Sequence, residues 1–202
     1  TERNIAIVYS GGDDVFVVGA WNDVIGFAVD LHKSLKKFSQ GTLSLSAGIG
    51  MYPSKYPIAA MAREVGELEE CAKSYPGKNA ITLFDESNTY DWEDFISDVL
   101  EEKYKTLMAF FGQQDQERGK AFLYHLLEYI RNSDEKINIA RFAYTLARLV
   151  PETEADTETK ERYRKFAQNM YHWIQNKKDR KSLITAIYLY VYSVRERQEE
   201  AS

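Results

Sequence analysis

The sequence predicts an α+β domain over residues 1–88, followed by an all-α helical bundle over residues 89–202. Three observations carry this. Short runs of Val, Ile, Phe and Tyr alternate with stretches of helical apolar spacing in the first part, the pattern of strands with helices laid against them. The strand pattern stops after Asp85-Glu86-Ser87-Asn88. Beyond Trp92 the only glycines are Gly112 and Gly119 and the only proline is Pro151, so long helices can run uninterrupted.

Each element has its own signal. Ile5–Tyr9 and Val15–Gly19 flank Gly11-Gly12-Asp13-Asp14 and read as paired strands closed by a Gly-Gly turn, since glycine supplies the positive φ that tight hairpins need. Val24, Ile25, Phe27, Ala28, Leu31, Leu35 and Phe38 recur at helical spacing, with Asn22 as the expected N-cap and Gly41 as the stop. "TLSLSAGIGMY" alternates at Leu43, Leu45, Ala47 and Ile49, which predicts a third strand. A helix is expected from Pro57 to Pro76-Gly77, and "NAITLF" as the last strand. In the second part, amphipathic helices are expected at 91–111, 116–132, 135–150, 157–177 and 179–197, with "PETEADTET" as an exposed acidic linker.

The order strand–strand–helix–strand–helix–strand fits a ferredoxin-like βαββαβ plan in which the hairpin is the middle of the unit. The chain opens on "TERNIAIVYS", without Met, and enters a strand almost at once. It is therefore expected to be a piece of a longer polypeptide, with the fold truncated at its N-terminal side.

Composition narrows the function classes. Net charge is −5 and evenly spread, −3 over residues 1–88 and −2 over 89–202, so bulk charge does not advertise nucleic-acid binding. The single cysteine, Cys71, excludes an internal disulfide framework and suits a reducing cytoplasm. No apolar run approaches the roughly 18 residues of a membrane span.

The chemistry-bearing motif is the Gly-Gly-Asp-Asp tip. Two adjacent carboxylates on a rigid turn repel each other unless a cation neutralises them. Mg²⁺ prefers such oxygens and keeps open positions for phosphate. Two ions about 3.5–4 Å apart can hold the attacking and leaving oxygens of a phosphoryl transfer. As a four-residue match this is weak, because a Gly-Gly turn followed by aspartates is also common hairpin chemistry.

Context makes it more specific. The hairpin, then "SAGIG", then "AK…GKNA" entering "ITLF", resembles in order the palm domain of polymerases and nucleotide cyclases. Within that superfamily the chain most resembles the large polymerase–cyclase subunit of type III-A CRISPR effector complexes, the Csm-type large subunit, which carries Gly-Gly-Asp-Asp and follows its second palm with a helical domain. The motif landmarks cover residues 5 to 84; the helical half matches by position and character.

The resemblance implies a subunit that uses ATP and two Mg²⁺ or Mn²⁺ ions to make cyclic oligoadenylate when its complex holds target RNA. By that resemblance Asp13 and Asp14 are the catalytic, metal-binding aspartates. Ser10, Gly11 and Gly12 contact the nucleotide. Lys73 and Lys78 lie where related cyclases supply cations to the triphosphate, although they are five apart against the usual four. Partners would be the other subunits of the effector complex, with guide and target RNA reached through it and no membrane; the location would be cytoplasmic. The helical domain would dock small helical subunits. No His-Asp nuclease pair and no CxxC zinc element occur in these residues, so the family's DNase activity is not placed on them and catalysis by the 202 residues alone is not expected.

Two alternatives stay open. A GGDEF-type diguanylate cyclase would share the hairpin, but Asp14-Val15-Phe16 replaces the Glu-Phe end of that signature and no Arg-x-x-Asp precedes it. A non-catalytic palm scaffold binding protein and RNA partners would keep the fold alone. His32, His125 and His172 lack metal-ligand spacing and Cys71 lacks a His/Asn arrangement, so all four read as structural. "AIYLYVYSV" reads as core and interface faces of the last helix, and "NKKDRKS" as a solvated turn.

Overall fold

A computed structural model describes residues 3–112, 116–132, 136–151 and 155–200. It divides into two compact units, Thr1–Ile96 and Ser97–Ser202. The division falls beyond the expected boundary at 88, because residues 89–96 complete the first unit's sheet and core.

In the first unit, β1 (Ile5–Gly11) and β2 (Asp14–Gly19) form an antiparallel hairpin. Helix α1 (Trp21–Phe38) follows, then β3 (Ala47–Ile49), α2 (Ile58–Lys73), β4 (Ala80–Leu83) and β5 (Thr89–Asp91). β3 pairs parallel with β4, and β5 pairs antiparallel with β4, which gives a second sheet of order β3-β4-β5. The five strands therefore fall into two sheets. The ferredoxin-like plan sets one more strand between the hairpin and β3, and none of the described residues provides it.

Three elements differ locally from expectation. β3 is confined to three residues because its partner β4 is short: the pairing runs only from Ala47↔Ile81 to Ile49↔Leu83. Upstream of it the backbone serves other bonds. Leu45 gives its carbonyl to the Trp92 indole N–H (2.8 Å), and the Ser46 hydroxyl donates to the Lys78 carbonyl (2.9 Å), so Leu43 stays exposed. α1 starts two residues earlier than Asn22 predicts. Ala20 is its N-cap, and the first helical bond runs from Val24 N–H to the Ala20 carbonyl (2.9 Å). β5 escaped the sequence reading because it is three residues long and follows the Glu86–Asn88 turn directly; Asp85 fixes that turn by accepting bonds from the Ser87 N–H and the Asn88 amide (both 2.9 Å).

The core of this unit forms where α2 lies on the β3-β4-β5 sheet. Gly48 sets the distance: a Cβ there would sit 2.5 Å from both the Val65 carbonyl and the Glu69 nitrogen of α2, so only glycine lets helix backbone and strand backbone approach this closely. Ala72, Ala80, Ile81 and Leu83 are fully buried at the contact. α1 joins through His32, whose ring stacks on Trp92 with centroids 4.6 Å apart and planes 11° from parallel. Trp92 is itself fully buried.

The first unit closes with the short α3 (Trp92–Asp94) and the start of a π-helical stretch, Phe95–Tyr104. The second unit is helical, and that stretch runs within it into α4 (Lys105–Phe111). Then come α5 (Gln116–Arg131), α6 (Lys136–Ala147), α7 (Thr157–Ile174) and α8 (Lys177–Glu200). Asp156, inside the stretch read as a linker, is the N-cap of α7, its carboxylate accepting from the Thr159 N–H (2.7 Å); linker residues 152–154 lie outside the described residues. α8 buries Leu183, Ala186, Ile187, Tyr190, Val191 and Val194 at helical spacing. Phe110 and Phe166 stack face to face at 3.9 Å, with Phe111 edge-on to Phe166 at 5.4 Å. Among the described residues no helix is long and apolar enough to cross a membrane.

One charge is fully buried here. The Lys103 ammonium meets Glu102 and Asp179, both at 2.9 Å, and lies 5.1 Å from the centre of the Trp173 ring. Burial alone would raise the Asp179 pKa, but hydrogen bonds from Lys103 and Asn176 outweigh it and hold the carboxyl below its ordinary value. Removing Asp179 leaves the buried ammonium with the half-exposed Glu102 as its carboxylate, which is the costly way to break such a group. Asp179→Asn is expected to destabilise the chain by about 3–5 kcal/mol, and Lys103→Met by less, since it removes the buried charge itself. Urea unfolding midpoints check the order; a larger loss for Lys103→Met would contradict it.

His32 gives a pH dependence. Burial against Trp92 lowers its pKa despite the opposing pull of Glu93 and Asp91, with Lys36 and Lys33 adding to the lowering. Its Nε2 has no hydrogen-bond partner. The unfolded chain, with His near its ordinary value of about 6.5, takes up this proton first as pH falls. Stability contributed by neutral His32 is therefore complete above pH 7 and is lost as pH falls from about 6.5 through the lower folded value. Thermal melts from pH 7.5 to 5 should show the decline, and His32→Phe, which keeps a ring but cannot titrate, should flatten it; an unchanged slope would remove His32 as the cause.

Candidate nucleotide and metal site

The hairpin tip is built by its register. Gly11 pairs with Asp14, so the two loop residues are Gly12 and Asp13, not the two glycines expected from the sequence. Gly12 has φ +65°, and Asp13 is not among the positive-φ residues. This is the arrangement of a type II′ turn, which wants glycine at its first central position and suits the twist of the flanking strands. Asp13 thus stands in the loop and Asp14 opens β2, two carboxylates in succession at a closed turn.

Both aspartates are exposed, and neither has a hydrogen bond or ion pair to another side chain among the described residues. Nothing in the first unit competes for them. No cluster of three or more His, Cys, Asp or Glu side chains gathers anywhere among the described residues. Among the described residues, the side-chain oxygens at the tip are those of Asp13 and Asp14.

A β-bulge decides which side chains join them. Ile7 pairs with Val17, but Tyr9 pairs with Phe16, which leaves Val8 as an extra residue in β1. Strand alternation then places Tyr9, Gly11, Asp14 and Phe16 on one face of the hairpin and Ser10 and Val15 on the other. Without the bulge, Tyr9 and Gly11 would share the face of Ile5 and Ile7. The Ser10 side chain is consequently not brought to the Gly11–Asp14 face.

The two lysines sit elsewhere in the unit and differ from each other. Lys73 ends α2, where its ammonium is held by Glu69 (3.0 Å) and Glu70 (3.3 Å); those bonds raise its pKa above the ordinary lysine value. Lys78 ends the Pro76–Lys78 turn with an exposed side chain that makes no ion pair among the described residues. Its backbone is left-handed (φ +52°), following Gly77 at φ +84°. Neither lysine is bonded to Asp13 or Asp14 among the described residues.

Sequence reasoning missed the bulge and Tyr9. "IAIVY" is apolar without alternation, so its periodicity carries no mark of which residue is extra; the aromatic residue two positions before Gly11 was the available signal.

Comparison with known proteins adds to this geometry. Residues 1–82 match the family model described as Cas10/Cmr2, second palm domain, and residues 108–196 match that of the CRISPR RNA silencing complex Cmr2 subunit, second helical domain. Among curated proteins, the "CRISPR system single-strand-specific deoxyribonuclease Cas10/Csm1 (subtype III-A)" of Mycobacterium tuberculosis is 48% identical over 198 residues, 98% of this chain and 24% of that protein. The proteins of the same name from Streptococcus thermophilus and Enterococcus italicus are 42% and 45% identical, over 96% and 95% of this chain and 26% and 24% of theirs. The chain spans about a quarter of the length of these relatives. The palm fragment with its Gly-Gly-Asp-Asp hairpin and the helical unit behind it belong to the Cas10/Csm1 family of subtype III-A CRISPR systems, as the second palm and second helical domains.

Proposed function

We propose that this chain is part of a type III CRISPR effector large subunit in antiviral defence, and that its hairpin holds ATP and two divalent ions for the synthesis of cyclic oligoadenylate. The observation that carries the reading is the pair of exposed, unpartnered carboxylates, Asp13 and Asp14, on a closed two-residue turn. Other subunits of the complex would surround it, with guide and target RNA reached through them, in the cytoplasm.

The residues present fit Mg²⁺ or Mn²⁺. Mg²⁺ is held typically by one or two carboxylates, with waters and substrate phosphate oxygens completing its shell, and two carboxylates are what the tip offers. Bound ions would lower the barrier by activating the attacking hydroxyl and stabilising charge on the leaving oxygen. Asp13 and Asp14 orient that chemistry. At Gly12 a Cβ would meet nothing within 4 Å, so the turn backbone beside Asp13 is open and a nucleotide can come close. In the reaction, the 3′-hydroxyl oxygen of one ATP forms a bond to the α-phosphorus of another, the bond from that phosphorus to the β-phosphate bridging oxygen breaks, pyrophosphate leaves, and the hydroxyl proton passes to solvent. Of the two lysines, Lys78 is the one whose ammonium is available to a triphosphate, since Lys73 is bound by Glu69 and Glu70.

The test uses the full-length subunit in its assembled complex with target RNA, Mg²⁺ and labelled ATP. Asp13→Ala/Asp14→Ala should abolish oligoadenylate, a loss of at least about a hundredfold for groups acting on transition-state charge. Lys78→Ala should raise the KM for ATP more than Lys73→Ala does. Equal product from wild type and double variant would move the chemistry elsewhere; a cyclic dinucleotide made from GTP would favour a diguanylate cyclase; no product from the wild type would favour a scaffold.

A further inference from the structure

The hairpin register carries two large aromatic residues, Tyr9 and Phe16, to the same face as Asp14, and Tyr9 is the more exposed of them. Its phenol ring lies along β1 over Gly11: a Cβ on Gly11 would sit 2.7 Å from the Tyr9 hydroxyl and 3.0 Å from Cζ. The ring is 57% exposed, and its hydroxyl makes no hydrogen bond among the described residues. Packing therefore does not explain why a large aromatic residue stands there.

The cross-strand geometry supplies a use. Tyr9 pairs with Phe16 and Gly11 with Asp14, so Tyr9 and Asp14 are diagonal neighbours on one face, about 7–8 Å apart in a regular ladder. Between them lies Gly11, whose missing side chain makes room for the Tyr9 ring itself. The ring over the glycine and the carboxylate across from it stand side by side on a single face. That arrangement suits a nucleotide whose phosphate end is drawn to the aspartates and whose base meets the ring. The Val8 bulge is what creates the alignment, since a regular strand would turn Tyr9 to the opposite face.

The geometry points to Tyr9 as a substrate-binding residue: its ring is the platform on which the purine base of the nucleotide held at Asp13 and Asp14 stacks. This rests on the reading of the hairpin as a nucleotide site and adds to it the residue that grips the base. Stacking of a base on an aromatic side chain is worth about 1–3 kcal/mol, which at 1.4 kcal/mol per tenfold corresponds to roughly 5- to 150-fold in affinity.

The test is equilibrium dialysis of labelled ATP with Mg²⁺ against the full-length subunit in its assembled complex with target RNA, followed by steady-state kinetics on the same samples. Tyr9→Ala should weaken ATP binding and raise KM together by about tenfold, within the stacking range, with the rate at saturating ATP held near that of wild type. Tyr9→Phe and Tyr9→Trp, which keep a ring, should recover the affinity. Thermal melts of the three variants should coincide with wild type, because the side chain is exposed and unbonded. Unchanged ATP affinity in Tyr9→Ala, while the wild type binds ATP in an Asp13- and Asp14-dependent way, would overturn the role of Tyr9 and leave the hairpin reading intact. Absence of ATP binding by the wild type would overturn both, and loss of affinity that Phe and Trp fail to recover would show that the ring is not the platform.

Discussion

The pairing of Gly11 with Asp14 is the constraint on which the candidate site depends. It limits the loop to Gly12 and Asp13, and the positive φ of Gly12 lets the chain reverse in two residues. A loop this short holds two successive carboxylates at fixed positions, where a longer loop would let them separate. The ladder behind the turn then does the aiming. With Val8 bulged out, the last three pairs of the hairpin set Gly11, Asp14 and Tyr9 facing the same way. A one-residue slip would send the same side chains to opposite faces, which is why register carries more functional weight here than any single contact.

Behind the hairpin, the first unit is held by a small number of close approaches. Gly48 allows α2 to lie directly on β3, and Trp92 ties the Leu45 carbonyl, the His32 ring and the start of α3 into one buried cluster. These contacts explain why the unit extends past residue 88: Trp92 and Phe95 are fully buried within it. The helical unit rests on different physics, an aromatic core around Phe110, Phe111 and Phe166 beside a buried lysine paired with two carboxylates. A buried ion pair adds little net stability but penalises packings that would separate its members.

Much of this was legible in the sequence because it is written in composition and period. The hairpin, α1, α2 and the five helical stretches of the second part announced themselves through β-branched runs or 3.6-residue spacing. β3 was overdrawn because Leu43 and Leu45 alternate like a strand, whereas a strand needs a partner and β4 ends too soon to provide one. β5 was missed because three residues cannot show a period. Asn22 looked like a cap, yet helix α1 closes its first bond on Ala20, and the Asn22 side chain instead accepts from the Asp23 N–H (2.9 Å). At the site, Asp13 and Asp14 were readable from the motif, while the facing of Ser10 and Tyr9 was not, since a bulge depends on pairing between strands and leaves no trace in either strand alone.

The claim that the Gly-Gly-Asp-Asp hairpin gathers metal and nucleotide is tested most directly by counting ions. Electron paramagnetic resonance of Mn²⁺ titrated with ATP into the assembled complex, carrying either the wild-type full-length subunit or Asp13→Asn/Asp14→Asn, separates bound from free ion without requiring turnover. About two ions per subunit that appear with ATP and vanish in the double variant are expected for a two-ion site. The same number of bound ions in both proteins would contradict the account and place the metal away from the hairpin.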